Sequence, residues 1–153
     1  MKTFKLSVDF CYNVNRSNYK HFDGKFVLED DQKTIKGIIN YIDNSSHYLY
    51  GIYNESQKKL IFLDMSCRSD PFIFCFSGNI GVCSTYSFND GCFFSRHSYD
   101  GNAMIVDFSE IDDPYSILSE KLLTNFRRLS GEDGLTNLLI MQQGVERYQN
   151  LYF

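Results

Sequence analysis

The sequence predicts a mainly β protein: a strongly curved antiparallel sheet or up-and-down barrel of about eight or nine strands, followed by one or two C-terminal α-helices. Three observations predict it. Between Lys25 and Tyr53, three runs rich in β-branched and aromatic residues are separated only by Glu29-Asp30-Asp31-Gln32-Lys33 and Asp43-Asn44-Ser45-Ser46, which is the composition of strands joined by short polar turns. The chain is 16% aromatic, with 14 Phe and 11 Tyr but only 2 Pro, and that balance favours strands. At Asp112-Asp113-Pro114 the apolar pattern changes from strand alternation to helical spacing.

A chain of 153 residues fits one domain with a sizeable core. Residues 1–110 form its barrel or curved sheet, 113–148 its helical segment and 149–153 a tail. The first strand sets Phe4, Leu6, Val8 and Phe10 against Lys5, Ser7 and Asp9, one apolar and one wet face. The polar loop from Asn13 to Asn18 follows, and then the three strands of the 25–53 stretch. Gly37 and Gly51 lie inside those strands, where glycine marks a bend or the close approach of another backbone. Strand five runs from Lys59 to Met65. Strand six, opened by Pro71, carries Phe72, Phe74 and Phe76 on one face and Ile73 and Cys75 on the other, so both faces need cover. Strand seven spans Val82 to Phe88, Asn89-Asp90-Gly91 turns into strand eight, Cys92 to His97, and Tyr99-Asp100-Gly101-Asn102 turns into strand nine, Ala103 to Phe108. The alternative architecture is a two-layer sandwich.

Asp113 is an N-cap with Pro114 at the first helical position, and Tyr115, Leu118, Leu122, Phe126 and Leu129 follow on one stripe. Arg127 and Arg128 sit where the helix dipole favours cations, and Gly131 stops the helix. Leu118 and Leu122 are expected to pack onto the sheet. A second helix starts near Asp133 with Leu135, Leu138 and Leu139 on one face. The closing Asn150-Leu151-Tyr152-Phe153 resembles a protease-cleavage tag, with Gln149 where that tag has Glu, and no function is placed there.

In general pattern, Phe22-Asp23-Gly24 through Tyr53 is similar to small lipocalin- and avidin-like barrels of the calycin type, in which glycine-bearing strands alternate with polar hairpins. The resemblance covers roughly residues 4 to 108 and implies a barrel fold. It carries over no binding residue, because a chain without Trp has neither the lipocalin Gly-x-Trp nor the avidin tryptophans.

A net charge of -4 and a pI near 5.3 argue against a phosphate backbone as partner. The alternating N-terminus with Asp9 is neither a signal region nor a membrane span, so a cytoplasmic protein without membrane contact is expected. Five cysteines without Cys-x-x-C fit a reducing compartment and buried free thiols. His21, His47 and His97 are far apart, and Cys92 and His97 point to opposite faces of one strand, so neither a metal site nor a cofactor is expected. No phosphate-cradling glycine motif occurs.

The remaining signal is the aromatic load. Tyrosines in a barrel mouth supply stacking faces with a hydroxyl handle, while the plainer expectation is that the rings fill the barrel. The leading functional expectation is non-catalytic binding of a small, partly planar ligand inside the curved sheet. Tyr41, Tyr48, Tyr50 and Tyr86 are its ring and hydroxyl contacts, His97 is a polar contact at the rim, and Arg96 meets any anionic group. The alternative is a protein-interaction or homo-oligomeric assembly module using a sheet edge and the C-terminal helices. A cysteine-dependent enzyme built on Cys83, Cys92 and His97 is the third.

Overall fold

A computed structural model describes residues 2–12, 19–64, 72–89 and 92–112, with backbone only for Tyr12, 84–89 and 92–100. Its strands are β1 (Lys2–Tyr12), β2 (Lys20–Leu28), β3 (Thr34–Tyr41), β4 (Ser46–Asn54), β5 (Lys59–Asp64), β6 (Phe72–Ser77), β7 (Ile80–Asn89) and β8 (Cys92–Ile111). Each pairs antiparallel with the next, and β8 returns to β1, closing an eight-stranded barrel in chain order. The calycin-type pattern therefore holds at the level of architecture, and closure removes the sandwich alternative. The expected helices after Asp113 lie outside the described residues.

β2 begins at Lys20 and β7 at Ile80, earlier than the sequence expectation of about Lys25 and Val82, and the larger difference lies in the last strands. Strands eight and nine are a single strand, because Tyr99-Asp100-Gly101-Asn102 does not turn: Asp100 pairs with Ser84, while Gly101 faces Cys83 on one side and Tyr12 on the other. Turn-forming residues were overridden by ladders on both edges. In the two turns of the 25–53 stretch the turn chemistry holds. Asp31 accepts hydrogen bonds from the backbone N–H of Lys33 at 2.9 Å and of Thr34 at 2.8 Å, and Asp43 does the same for Ser45 at 2.9 Å.

Closure depends on glycine set opposite phenylalanine. Gly37 faces Phe26, Gly51 faces Phe62 and Gly81 faces Phe76 across neighbouring strands. A Cβ at Gly37 would lie 2.0 Å from the Lys25 carbonyl oxygen, and one at Gly51 would lie 2.0 Å from that of Ile61. The missing side chains let the strands coil tightly, and the opposing rings take the space.

Those rings fill the barrel. At the end where β1 starts, Phe4 stacks on Phe26 and on Phe108, both at 5.3 Å, with Tyr53 edge-on to Phe108 at 5.5 Å. Further along the axis Phe74 contacts Phe62 at 5.1 Å, and Phe10 and Phe22 at 5.2 Å each. Such offset and edge-to-face pairs are the favoured ring geometries. The interior between the two ends is packed core.

Candidate functional site

Polar chemistry enters the barrel at the end where β1, β3 and β5 finish. Directly opposed residues share a face, so Tyr41 (opposite Phe22), His47 (opposite Ile39) and Asp64 (opposite Leu49) all belong to the interior side, whose neighbours are core residues. Asp64 is fully buried at 0% exposure, whereas the His47 side chain is 22% exposed. A buried charge must be paired and hydrogen-bonded. Tyr41 Oη donates to Asp64 Oδ2, and His47 Nδ1 lies 2.9 Å from Oδ1 and 3.1 Å from Oδ2.

The carboxylate fixes the imidazole. An ionised carboxylate only accepts, so the proton sits on His47 Nδ1, and in the neutral ring Nε2 is left as an acceptor. Nε2 makes no hydrogen bond among the described residues. The Tyr41 ring lies 4.7 Å from the imidazole, 5.5 Å from Phe22 and 6.3 Å from Phe10, and Phe10 in turn is 6.4 Å from Phe72. The result is an oriented imidazole set in a rim of aromatic rings.

The six residues singled out from the sequence divide by position. Tyr41 belongs to this cluster. Tyr86 and Arg96 face each other in register on the β7–β8 ribbon, which runs past the last β6 pair (Phe72 with Thr85) and the last β1 pair (Tyr12 with Gly101) at the same end of the barrel. His97 falls in the register shift of that ribbon, between the Ser84–Asp100 and Tyr86–Arg96 pairs. Tyr48 and Tyr50 alternate with His47, Leu49 and Gly51, so they lie on the outer face of β4, opposite to the face that carries Tyr41. Sequence reasoning missed Asp64 and set His47 aside because the three histidines are far apart in the chain. The signal was present: Asp64 follows Leu60 and Phe62 in strand alternation and is the one charge at the end of an apolar run.

A second polar chain lies on the outer wall. His21 Nδ1 is 2.5 Å from Asp9 and Nε2 3.1 Å from Asp23, which also accepts from Ser7 Oγ at 2.6 Å. The Asp9 hydrogen bond raises the His21 pKa above 6.5, with burial opposing it. The Ser7 hydrogen bond lowers that of Asp23 below 3.8.

The thiols are quiet. Burial pushes Cys83 up to about 12 and raises Cys75, so both stay protonated at neutral pH. Among the described residues no group of three or more His, Cys, Asp or Glu is arranged to hold a metal ion. Two clefts, of about 400 and 200 Å³, open at the opposite end around Tyr53 and contain none of the six sequence candidates. These observations define a class, a closed meander barrel with a packed axis and a Tyr–Asp–His mouth. Comparison with family models, curated proteins and solved structures finds no match.

Proposed function

We propose that the protein is a non-catalytic binding barrel that holds a small, planar, partly aromatic ligand at the Tyr41 end. The observation that carries this reading is the orientation of His47: a fully buried carboxylate holds Nδ1 while Nε2 has no partner among the described residues. Fixing a polar group without using it internally is the arrangement expected of a recognition contact, in which a ligand group completes the hydrogen bonding. The packed axis supports binding at the mouth and not deep inside. Tyr41 offers a ring face beside the imidazole, and the ribbon bearing Tyr86, Arg96 and His97 runs past that end. Tyr48 and Tyr50 have no part in the mouth. A reducing cytoplasm suits this reading, because Cys75 and Cys83 are buried thiols and not disulfides.

A thermal-shift series with adenosine, riboflavin and laurate tests the reading. A planar compound should raise Tm in a concentration-dependent way, as ligand binding to the folded state requires. The shift should disappear in His47→Gln. No shift with either planar compound up to millimolar concentration counts against it.

One observation favours the second reading, an interaction or self-assembly module. Ile80, Val82, Met104 and Val106 are exposed together on β7 and β8, with Ile80 opposite Met104. Clustered exposed apolar side chains mark contact surfaces. Barrel closure leaves the β7–β8 ribbon as the place for an edge contact. Light scattering decides the self-assembly form: a monomer at all concentrations removes it.

A further inference from the structure

We infer that the outer wall of β4–β6 is the seat of the chain's own C-terminal segment, residues 113–153, which covers it with the apolar stripe that begins at Tyr115. A barrel wall has two faces, and in β4–β6 both are apolar. The face turned away from the core carries two lateral rows, Ile52–Ile61–Cys75 and Tyr50–Leu63–Ile73, each fixed by strand register. The first row is exposed by only 6, 0 and 7%, and the second by 3, 0 and 1%. These are core values on the outside of a barrel. The cover has a sharp edge, because the next residue of the first row, Val82 on β7, is 37% exposed.

The described strands form the barrel wall itself, and the β7–β8 ribbon that continues beyond it at one end makes no extended backbone contact with β4 or β5. The stretches 13–18 and 65–71 join adjacent antiparallel strands and are tied at both ends. Residues 113–153 are long enough, and they carry Tyr115, Leu118, Leu122, Phe126 and Leu129 at helical spacing. The dimensions agree. Three adjacent strands span about 10 Å from first to last, close to the diameter of a helix with its side chains. β8 runs on for seven residues past its last pair with β7, Ile80 with Met104, so the way from Asp112 to the covered face is about 20 to 30 Å, which about six to nine extended residues or a helix of about 15 to 20 residues cross.

The test uses the full chain with a diazirine analogue of leucine in place of leucine, as an equal mixture of light and heavy isotope chains. After irradiation and trypsin, links should join peptide 60–68, through Leu63, to 122–127 or 129–147 within one isotope form. Links only between light and heavy chains would assign the seat to a second copy, and an absence of links to 113–153 would leave the segment elsewhere; either overturns the inference. Thiol labelling gives an independent readout. In Leu122→Glu, alkylation of Cys75, on the covered face, should accelerate by about tenfold or more, as expected when a local cover opens. Cys83, inside the barrel, should stay slow. A Cys75 rate equal to that of the parent protein also overturns the inference.

Discussion

Replacing Gly51 with Ala tests the closure of the barrel at one atom. The added Cβ would stand 2.0 Å from the Ile61 carbonyl oxygen, 2.6 Å from Phe62 Cα and 2.8 Å from Phe62 Cβ. Two of the three obstacles are backbone atoms of β5, a strand held by ladders to β4 and β6. They cannot rotate away. Relief requires the strands to separate, which lengthens ladder hydrogen bonds and loosens the stack of Phe62 on Phe74. Overpacking a well-filled core costs about 1 to 3 kcal/mol, and a clash with backbone belongs at the upper end, so about 3 kcal/mol is expected. With an m-value of about 2 kcal/mol/M, the urea midpoint falls by about 1.5 M. Gly78→Ala is the matched control, since Gly78 has φ +63° but open space around an added Cβ, and left-handed strain alone costs about 1 kcal/mol. Equilibrium unfolding followed by far-UV circular dichroism compares the two. If Gly51→Ala were no more costly than Gly78→Ala, β4 and β5 would not approach as described and the glycine explanation of closure would fail.

Three further outcomes are expected. Tyr41→Phe removes one donor to a buried carboxylate and should cost about 1.5 to 3 kcal/mol in the same unfolding assay, the range for hydrogen bonds to charged groups. The raised pKa of His21 gives folding a contribution that is fully present below about pH 6.5 and lost as pH rises through the higher folded value; Asp9→Asn should flatten that part of the stability profile and bring the NMR titration of His21 back towards 6.5. Iodoacetamide at neutral pH should label Cys75 and Cys83 slowly in the folded protein, and fast labelling of Cys83 would restore the cysteine-enzyme reading.

The architecture was legible because local signals agreed with one another. Alternation in Phe4 to Phe10, the polar turns at Asp31 and Asp43, and glycines at 37 and 51 each have one simple structural meaning, and adjacent strands joined by short turns pair in order. The merger of the last two strands was not legible. Asp100-Gly101-Asn102 has the composition of a turn, and only the ladders to β7 and β1, set by distant residues, hold it extended. The site was half legible for a similar reason. Tyr41 stood out by residue type, but its partners His47 and Asp64 come from two other strands and meet it only through register. Tyr48 and Tyr50 show the limit of residue type as a guide: Tyr50 is one residue from Leu49 and Gly51, and strand alternation sends it to the other face.

The most direct test of the mouth as a recognition site is NMR of the His47 ring in isotope-labelled protein, free and titrated with adenosine or riboflavin. In the free protein at a pH where the ring is neutral, the proton should reside on Nδ1, held by Asp64, with Nε2 unprotonated, and Asp64→Asn should weaken that tautomer preference. On titration the Nε2 and Cε1 signals of His47 should move with saturation, while those of His21, on the outer wall, stay still. A proton on Nε2 in the free protein, or His47 signals indifferent to both compounds, would contradict the assignment of this end of the barrel as the binding site.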